Sequence, residues 1–262
     1  MSLDVDTSDS LLTVSRGLQV LRAFRGERTP LTNAEIVART GLPKSTVSRL
    51  TSTLLASGFL RHAPGGRQFE LGLGSLGIGH AFLETSPLVR LALPFMQDLA
   101  DELNVSVALA IRDGFEMLYV AYCSSRNITT LRLGVGAMLP MVSTAIGRAY
   151  MWGLSDEDRE VLFGELEEHF GGAFEALQKK ISESFSELDA MGTCLVKSGY
   201  QRDTYGIAVP IRVGVQRTVV GLNCGAAVVG ADFAQVRSVI GGRLMRAAPE
   251  LERLLQDLDH PI

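Results

Sequence analysis

The chain is poor in cysteine. Its 262 residues hold three, Cys123, Cys194 and Cys224, far apart in sequence. There is no C-x-x-C pair, so neither a disulfide framework nor a zinc site is indicated. Buried free thiols in a reducing cytoplasm fit this pattern. Histidine is scarce as well. The four (His62, His80, His169 and His260) show no H-E-x-x-H spacing, and no metal is expected. Long apolar runs are missing. None nears the ~20 residues of a membrane span, so no membrane partner is expected. The opening "MSLDVDTSDS" lacks the basic stretch and apolar core of a secretory signal. It predicts a disordered tail over residues 1–12 and a cytoplasmic protein. A G-x-S-x-G elbow is also absent, and the histidines lie in unrelated segments. A triad built on Ser143 is therefore not indicated. The expectation is a protein that is not an enzyme, with no catalytic residue and no cofactor.

Overall positive charge is lacking too. The formal net charge is −4, which alone argues against a nucleic-acid partner. Its distribution reverses that. From Val14 to Glu70 nine lysines and arginines face three acids, a local charge of +6. Residues 86–262 carry 16 basic and 22 acidic side chains, or −6. A basic head on an acidic body suggests that the head meets a polyanion.

The pattern within the head is specific. In "TVSRGLQVLRAFRGE", Val14, Leu18, Leu21 and Phe24 fall at helical spacing. Thr32 and Glu35 form an S/T-x-x-E capping box that opens a short helix, with Ile36 and Val37 inward and Gly41 at its end. After "GLPK", Ser45 is expected to cap a second helix whose apolar positions are Val47, Leu50, Leu54 and Leu55. Two short helices joined by a glycine-containing turn are a helix-turn-helix signature. With Val47 and Leu50 inward, Lys44, Ser45, Thr46, Ser48 and Arg49 face outward, where such residues reach base edges in a major groove. Lys44 and Arg49 suit guanine; the hydroxyls suit bases or phosphates. Thr32 joins this set as a DNA-contacting candidate at the start of the first helix. "FLRHAPGGRQFEL" reads as a hairpin with a glycine turn, the wing of a winged helix. Arg61, His62 and Arg67 near its tip suit phosphate or minor-groove contact. The expected partner is double-stranded DNA.

Residues 72–77 read G-L-G-S-L-G, the spacing of a dinucleotide-binding fingerprint. That fingerprint requires a parallel βαβ unit with an acid ending the second strand. Here the strand before it belongs to a small antiparallel hairpin, and the acid about 20 residues on falls in a helix. Small residues that let a connecting helix pack closely are the better reading. That helix, over 72–86, carries Leu76, Ile78, Ala81, Phe82 and Leu83, and so much apolar surface suits pairing with a second copy.

Residues 87–258 alternate helices with strands. "PLVRLALPFMQDLADEL" reads as a helix with Leu91, Phe95, Leu99 and Leu103 on one face. Strands are expected at "VSVALAIRD", "MLYVAYCSS", "GTCLVK", "YGIAVPIRVG" and "RTVVGLNCGAAVV", with a further one at "TTLRLGVG". A helix is entered near Thr144, an amphipathic one follows at "LQKKISESFSEL", and a long C-terminal one is broken near Pro249. Antiparallel strands flanked by helices make an α+β domain.

These stretches carry a family resemblance. The basic head at 13–71, "ELGLGSLGIGHAFL", "LPMVSTAIGRAYMW", "SGYQRDTYGIAVPI" and "GLNCGA" follow in an order that resembles IclR-type bacterial transcriptional regulators over nearly the whole chain. The resemblance implies two domains: an N-terminal winged helix-turn-helix, mostly α, and a C-terminal α+β GAF-like effector domain over 87–258, joined by the linker helix. It implies a homodimer or tetramer that binds operator DNA and answers to a small metabolite. Many members sense organic or aromatic acids and control catabolic genes. "GLNCGA" and "TAIGRAY" look closest to the branch tied to aromatic-acid and β-ketoadipate metabolism. The family's ligand cavity maps onto Ser143, Thr144, Ala145, Asp203, Gly206, Asn223 and Gly225. Helix N-terminal amides at Thr144–Ala145 suit a carboxylate. Thr144 and Asn223 also read as a helix cap and a satisfied strand group, and Tyr122, Met138 and Met141 as pocket wall or plain core. A protein-interaction module with a nonspecific basic head is the other function class.

Overall fold

The computed structural model describes residues 7–24, 29–126, 133–228 and 230–259, with side chains from residue 12. Its contacts divide it into two units that meet in sequence between Thr85 and Ser86.

The first unit begins with α1 (Thr7–Arg22), so the expected tail is shortened: residues 7–12 are helical. The inward face of α1 also differs from the expected one. Val20 and Ala23 are buried and Leu21 and Phe24 pack beside them, while Val14 and Leu18 stand exposed. Gly17 lies against Leu50, which rotates that face toward the core. In α2 (Asn33–Thr40) the capping box is complete and Gly41 terminates the helix in the left-handed region at φ 68°. The turn to α3 (Lys44–Ala56) is tighter than expected. Pro43, not Ser45, stands at its N-cap, and no side chain caps it. Val47 and Thr51 are buried, and Leu50, Leu54 and Leu55 pack on the same core as Ile36 and Leu60. Strands β1 (Leu60–His62) and β2 (Phe69–Leu71) pair antiparallel, and Leu31 adds a bridge to Phe69 on the hairpin's other side. Gly65 and Gly66 turn the hairpin at positive φ.

Helix α4 (Leu73–Thr85) follows directly. Gly72 donates its N–H to the Phe59 carbonyl at 2.7 Å and Gly74 to that of Gly58 at 3.1 Å. A methyl group on Gly72 would stand 2.2 Å from the Gly58 oxygen. The first two glycines of G-L-G-S-L-G therefore serve a close helix–turn approach. Gly77 has open space around it.

The second unit is an antiparallel six-stranded sheet in the order β5-β4-β3-β8-β7-β6. Its strands are β3 (Ser106–Asp113), β4 (Glu116–Ser124), β5 (Met138–Pro140), β6 (Cys194–Lys197), β7 (Thr204–Val213) and β8 (Thr218–Ala227). β5 takes the place of the strand expected over 129–136. There, 129–132 lie outside the described residues and Val135–Gly136 form a turn. Alternation along β7 sends Tyr205, Ile207, Val209, Ile211 and Val213 to one face. Helices α5 (Pro87–Leu103) and α10 (Gly242–Leu255) cover that face. On α5 it is Leu88, Ala92, Met96 and Leu99 that are buried, with Leu91 36% exposed. Ser86 caps α5 and Pro87 opens it. The expected long C-terminal helix is divided earlier than Pro249, by a short α9 (Phe233–Gln235) and a π-helical stretch, Val236–Gly241. Pro249 sits inside α10. The opposite sheet face carries α6 (Ala145–Gly153), α7 (Asp156–Phe170) and α8 (Phe174–Met191) over Ala108, Ala110, Tyr119, Cys194 and Ala208. Among the described residues no helix is long and apolar enough to cross a membrane.

Candidate effector pocket and nucleic-acid interface

On the first unit, α3 presents Lys44, Ser45, Ser48 and Arg49 as one exposed stripe at positions i, i+1, i+4 and i+5, with Thr46 half-buried beside it. With Pro43 at the N-cap, the first amides of α3 have no side-chain partner. Such amides are donors for an anionic oxygen. Ser45 thus stays free where a capping role had been expected. Arg67 is exposed at the hairpin turn. Arg61 is exposed but paired with Glu70 across the strands at 2.5 Å. The His62 ring lies 5.2 Å from that of Phe69. Thr32 stands apart from the stripe's free groups. Its hydroxyl donates to Glu35 Oε2 at 2.7 Å and accepts from the Glu35 N–H at 3.2 Å. The uncapped α3 start is not legible from spacing, because Ser45 presents an apparent cap.

On the second unit, a small solvent-open cleft lies between the start of α6 and the sheet. Thr144, Ala145, Gly206, Asn223 and Gly225 all line it. The register explains their meeting: Gly206 pairs with Gly225, Asn223 with Ala208, and Gly225 with Ser106. Ala145 closes in from above, 3.6 Å from where a Gly206 Cβ would stand. Thr144 caps α6, accepting from the Gly147 N–H at 3.4 Å and donating to the Pro140 carbonyl at 2.8 Å. Gly147 is required there, since a Cβ would lie 2.1 Å from the Met141 oxygen. The buried Arg148 donates to the Val142 carbonyl and to Ser184 Oγ, each at 3.0 Å, and ties the same loop to α8. Burial pulls its guanidinium below the ordinary range. The mouth of α6 is therefore held in place before any ligand arrives.

Two expected ligand residues lie elsewhere. Ser143 donates to the Gly199 carbonyl at 2.9 Å and braces the wall, without lining the cleft. Asp203 is exposed on the β6–β7 turn. That turn folds on itself through Ser198 N–H to the Thr204 carbonyl at 2.8 Å, and the Asp203 carbonyl accepts from Val228 N–H at 2.8 Å. Its carboxylate is not part of the lining. Of the residues left open between wall and core, Met141 is core, with no exposed surface. Asn223 is 7% exposed and lines the cleft.

Tyr119 and Ser106 line the cleft unanticipated. A bulge hides the first. The register shifts between Leu109 and Ala110, so that Tyr122 pairs with Ala108 and Tyr119 with Ala110. The extra residue turns both tyrosines to the cleft side, their rings 6.2 Å apart. Strict alternation would have sent them to opposite faces. Ser106 was within reach of the sequence, two residues from Ala108 on the same face. Burial raises the Tyr119 phenol far above its ordinary value. Burial also raises that of Tyr122, with Ser106 acting the other way. Both stay neutral hydroxyls at physiological pH. Among the described residues, no group of three or more His, Cys, Asp or Glu is placed to hold a metal.

Comparison with known proteins places these two units. Residues 13–64 match the family described as IclR helix-turn-helix domain, and residues 80–248 the bacterial transcriptional regulator IclR C-terminal family. The HTH-type transcriptional regulator TsaQ1/TsaQ2 of Comamonas testosteroni is 30% identical over 75% of this chain and 71% of its own. The Pca regulon regulatory protein of Pseudomonas putida is 28% identical over 82% and 74%. The crystal structure of an IclR family transcriptional regulator from Brucella abortus superposes with a TM-score of 0.81 at 31% identity, covering 93% of this chain and 92% of that one. An IclR homolog from Microbacterium hydrocarbonoxydans, solved with 4-hydroxybenzoate, gives 0.65 at 23% identity over 93% and 98%, which shows the shared fold alone. These matched families and relatives are regulators and not enzymes. The chain belongs to the IclR family of DNA-binding bacterial transcriptional regulators, with an N-terminal helix-turn-helix unit and a C-terminal α+β unit.

Proposed function

We propose that this regulator binds operator DNA through α3 and its wing, and that an organic or aromatic acid seated in the α6 cleft controls it, acting on catabolic genes in the cytoplasm. The carrying observation is the cleft itself: the first amides of α6 and the Asn223 side chain border a pre-formed space lined by the paired Gly206 and Gly225. Helix N-terminal amides favour an anion. The fold accommodates an aromatic acid in at least one protein. Thr144, Ala145, Gly206, Asn223 and Gly225 are the proposed contacts, Ser143 a brace, and Asp203 is set aside.

On the DNA side, Arg49 and Lys44 read bases, Ser45, Thr46 and Ser48 take bases or phosphates, and the open α3 amides take a phosphate. Arg61 and Arg67 hold the backbone from the wing. Thr32 acts through the cap of α2. The working division is winged helix 13–71, linker 72–86 and effector domain 87–258. Leu73, Leu76, Ile78 and Phe82 are exposed on α4, which supports a homodimer paired through this helix.

The test is fluorescence anisotropy of the full chain on its own upstream DNA, with random DNA as control, across a salt series. Specific binding whose log affinity falls linearly with log salt is expected. Equal affinity for random DNA would overturn the reading.

A further inference from the structure

Arg148 is a buried charge without an opposite one beside it. It is 8% exposed. Its guanidinium donates to neutral groups, Nε to the Val142 carbonyl and Nη1 to Ser184 Oγ, each at 3.0 Å. Among the described residues no carboxylate stands at ion-pair distance from it. The titratable groups that act on its charge are Glu183, Glu187 and the Cys194 thiol. Glu187 is already engaged: it accepts from Arg237 Nη1 and Nη2 at 3.1 and 2.8 Å and from the Leu195 N–H at 3.0 Å. Glu183 is exposed on α8, where solvent screens its pull. The Cys194 thiol, pushed up to about 12 by burial, is neutral. Burying a cation without a paired anion is costly.

The position of Arg148 adds to that cost. It is the fourth residue of α6, and a long helical side chain points back toward the N-terminus. The Val142 carbonyl that it reaches lies two residues before the Thr144 cap. A helix N-terminus is itself the positive end of the dipole, where a cation is unfavourable. Two positive sources therefore stand together, and no side chain of the described residues balances them. They stand behind the cleft wall. Ala145 lines the cleft, its carbonyl meets Cys194 Sγ at 3.4 Å, and the Arg148 charge acts on Cys194. Arg148 itself is outside the lining. At low local dielectric a charge acts through one such layer. An anion seated at the α6 mouth supplies the counter-charge.

We propose that Arg148 is a specificity-determining residue of the cleft: without touching the effector, its buried charge makes the site choose a carboxylate over a neutral head of the same shape. Its bonds to Val142 and Ser184 hold that charge at the α6 mouth. This inference rests on the α6 cleft being the effector site.

The test is calorimetric titration of the full chain with two matched pairs, benzoate with benzamide and hexanoate with hexanamide. It is repeated on Arg148→Met, Arg148→Gln, Arg148→Lys and Ser184→Ala. In the native chain at least one acid should bind about tenfold or more tightly than its amide. Either neutral variant should bring that ratio below about threefold and leave the amide within about twofold. Arg148→Lys and Ser184→Ala keep a charge behind the wall and should hold the ratio above about threefold. A purely structural role weakens acid and amide alike, so an unchanged ratio in a folded neutral variant overturns the inference. So does a ratio that Arg148→Lys loses as fully as the neutral variants. Should neither neutral variant fold, the native chain still decides, because acid and amide bound within about threefold of each other overturn the inference and leave the cleft standing. Failure of both acids to bind the native chain overturns the cleft reading as well.

Discussion

A methyl group on Gly72 has nowhere to go, because the Gly58 carbonyl stands 2.2 Å from its position. Backbone, not a flexible side chain, would have to shift. Gly72→Ala should therefore destabilise the N-terminal unit by about 1–3 kcal/mol. Urea denaturation of the full chain reads this, and an unchanged midpoint would count against the packing role. Arg49 is the residue whose loss should speak most directly to DNA reading. Arg49→Ala should cost about 1–3 kcal/mol in operator affinity and relax specificity at one base position. Anisotropy on operator variants checks both effects, and unchanged affinity removes Arg49 from the interface. The thiols make a third case. Burial pushes Cys123 up to about 11 and Cys194 and Cys224 up to about 12. All three should ignore a thiol reagent in the folded chain at pH 8 and react together after denaturation.

At the level of elements, α2 and α3 differ in how they begin. The first is closed by Thr32 and Glu35, and hydrogen bonds from the Thr32 backbone and side chain hold the Glu35 carboxyl below its ordinary value. A depressed carboxylate stabilises above its unfolded value and loses that effect as pH falls through the folded one. Thr32→Ala should cost about 1 kcal/mol at neutral pH, and the gap to wild type should narrow in strong acid, as denaturation curves at the two pH values will show. The second helix is left open behind Pro43. Periodicity revealed both helices, the hairpin and most strands, because each buries one face. It misplaced the inner face of α1, where several apolar rotations compete and only the neighbour decides; on α5, Leu99, Phe95 and Leu103 do pack on the core and Leu91 alone stands out. In the cleft, Thr144, Ala145, Gly206, Asn223 and Gly225 were legible through the family resemblance. Tyr119 was not, because a one-residue bulge reverses strand parity and leaves no mark in composition. Asp203 stands outside the lining, on a turn whose backbone hydrogen bonds spacing does not reveal.

For the molecule as a whole, charge and apolar surface divide the labour. The basic head carries DNA, the acidic body carries the pocket, and α4 offers exposed Leu73, Leu76, Ile78 and Phe82 with no buried residue of its own. Substituting Leu76→Glu should convert a dimer into monomers in light scattering and, by removing paired half-site contact, weaken operator binding by tenfold or more. A dimer that survives this change would place the interface elsewhere. The most direct measurement adds a carboxylic acid to the preformed complex of the full chain with its upstream DNA and follows anisotropy. An organic or aromatic acid should shift operator affinity several-fold in the native chain, with random DNA unaffected. An acid that binds the protein by calorimetry yet leaves operator affinity unchanged would contradict control through the α6 cleft.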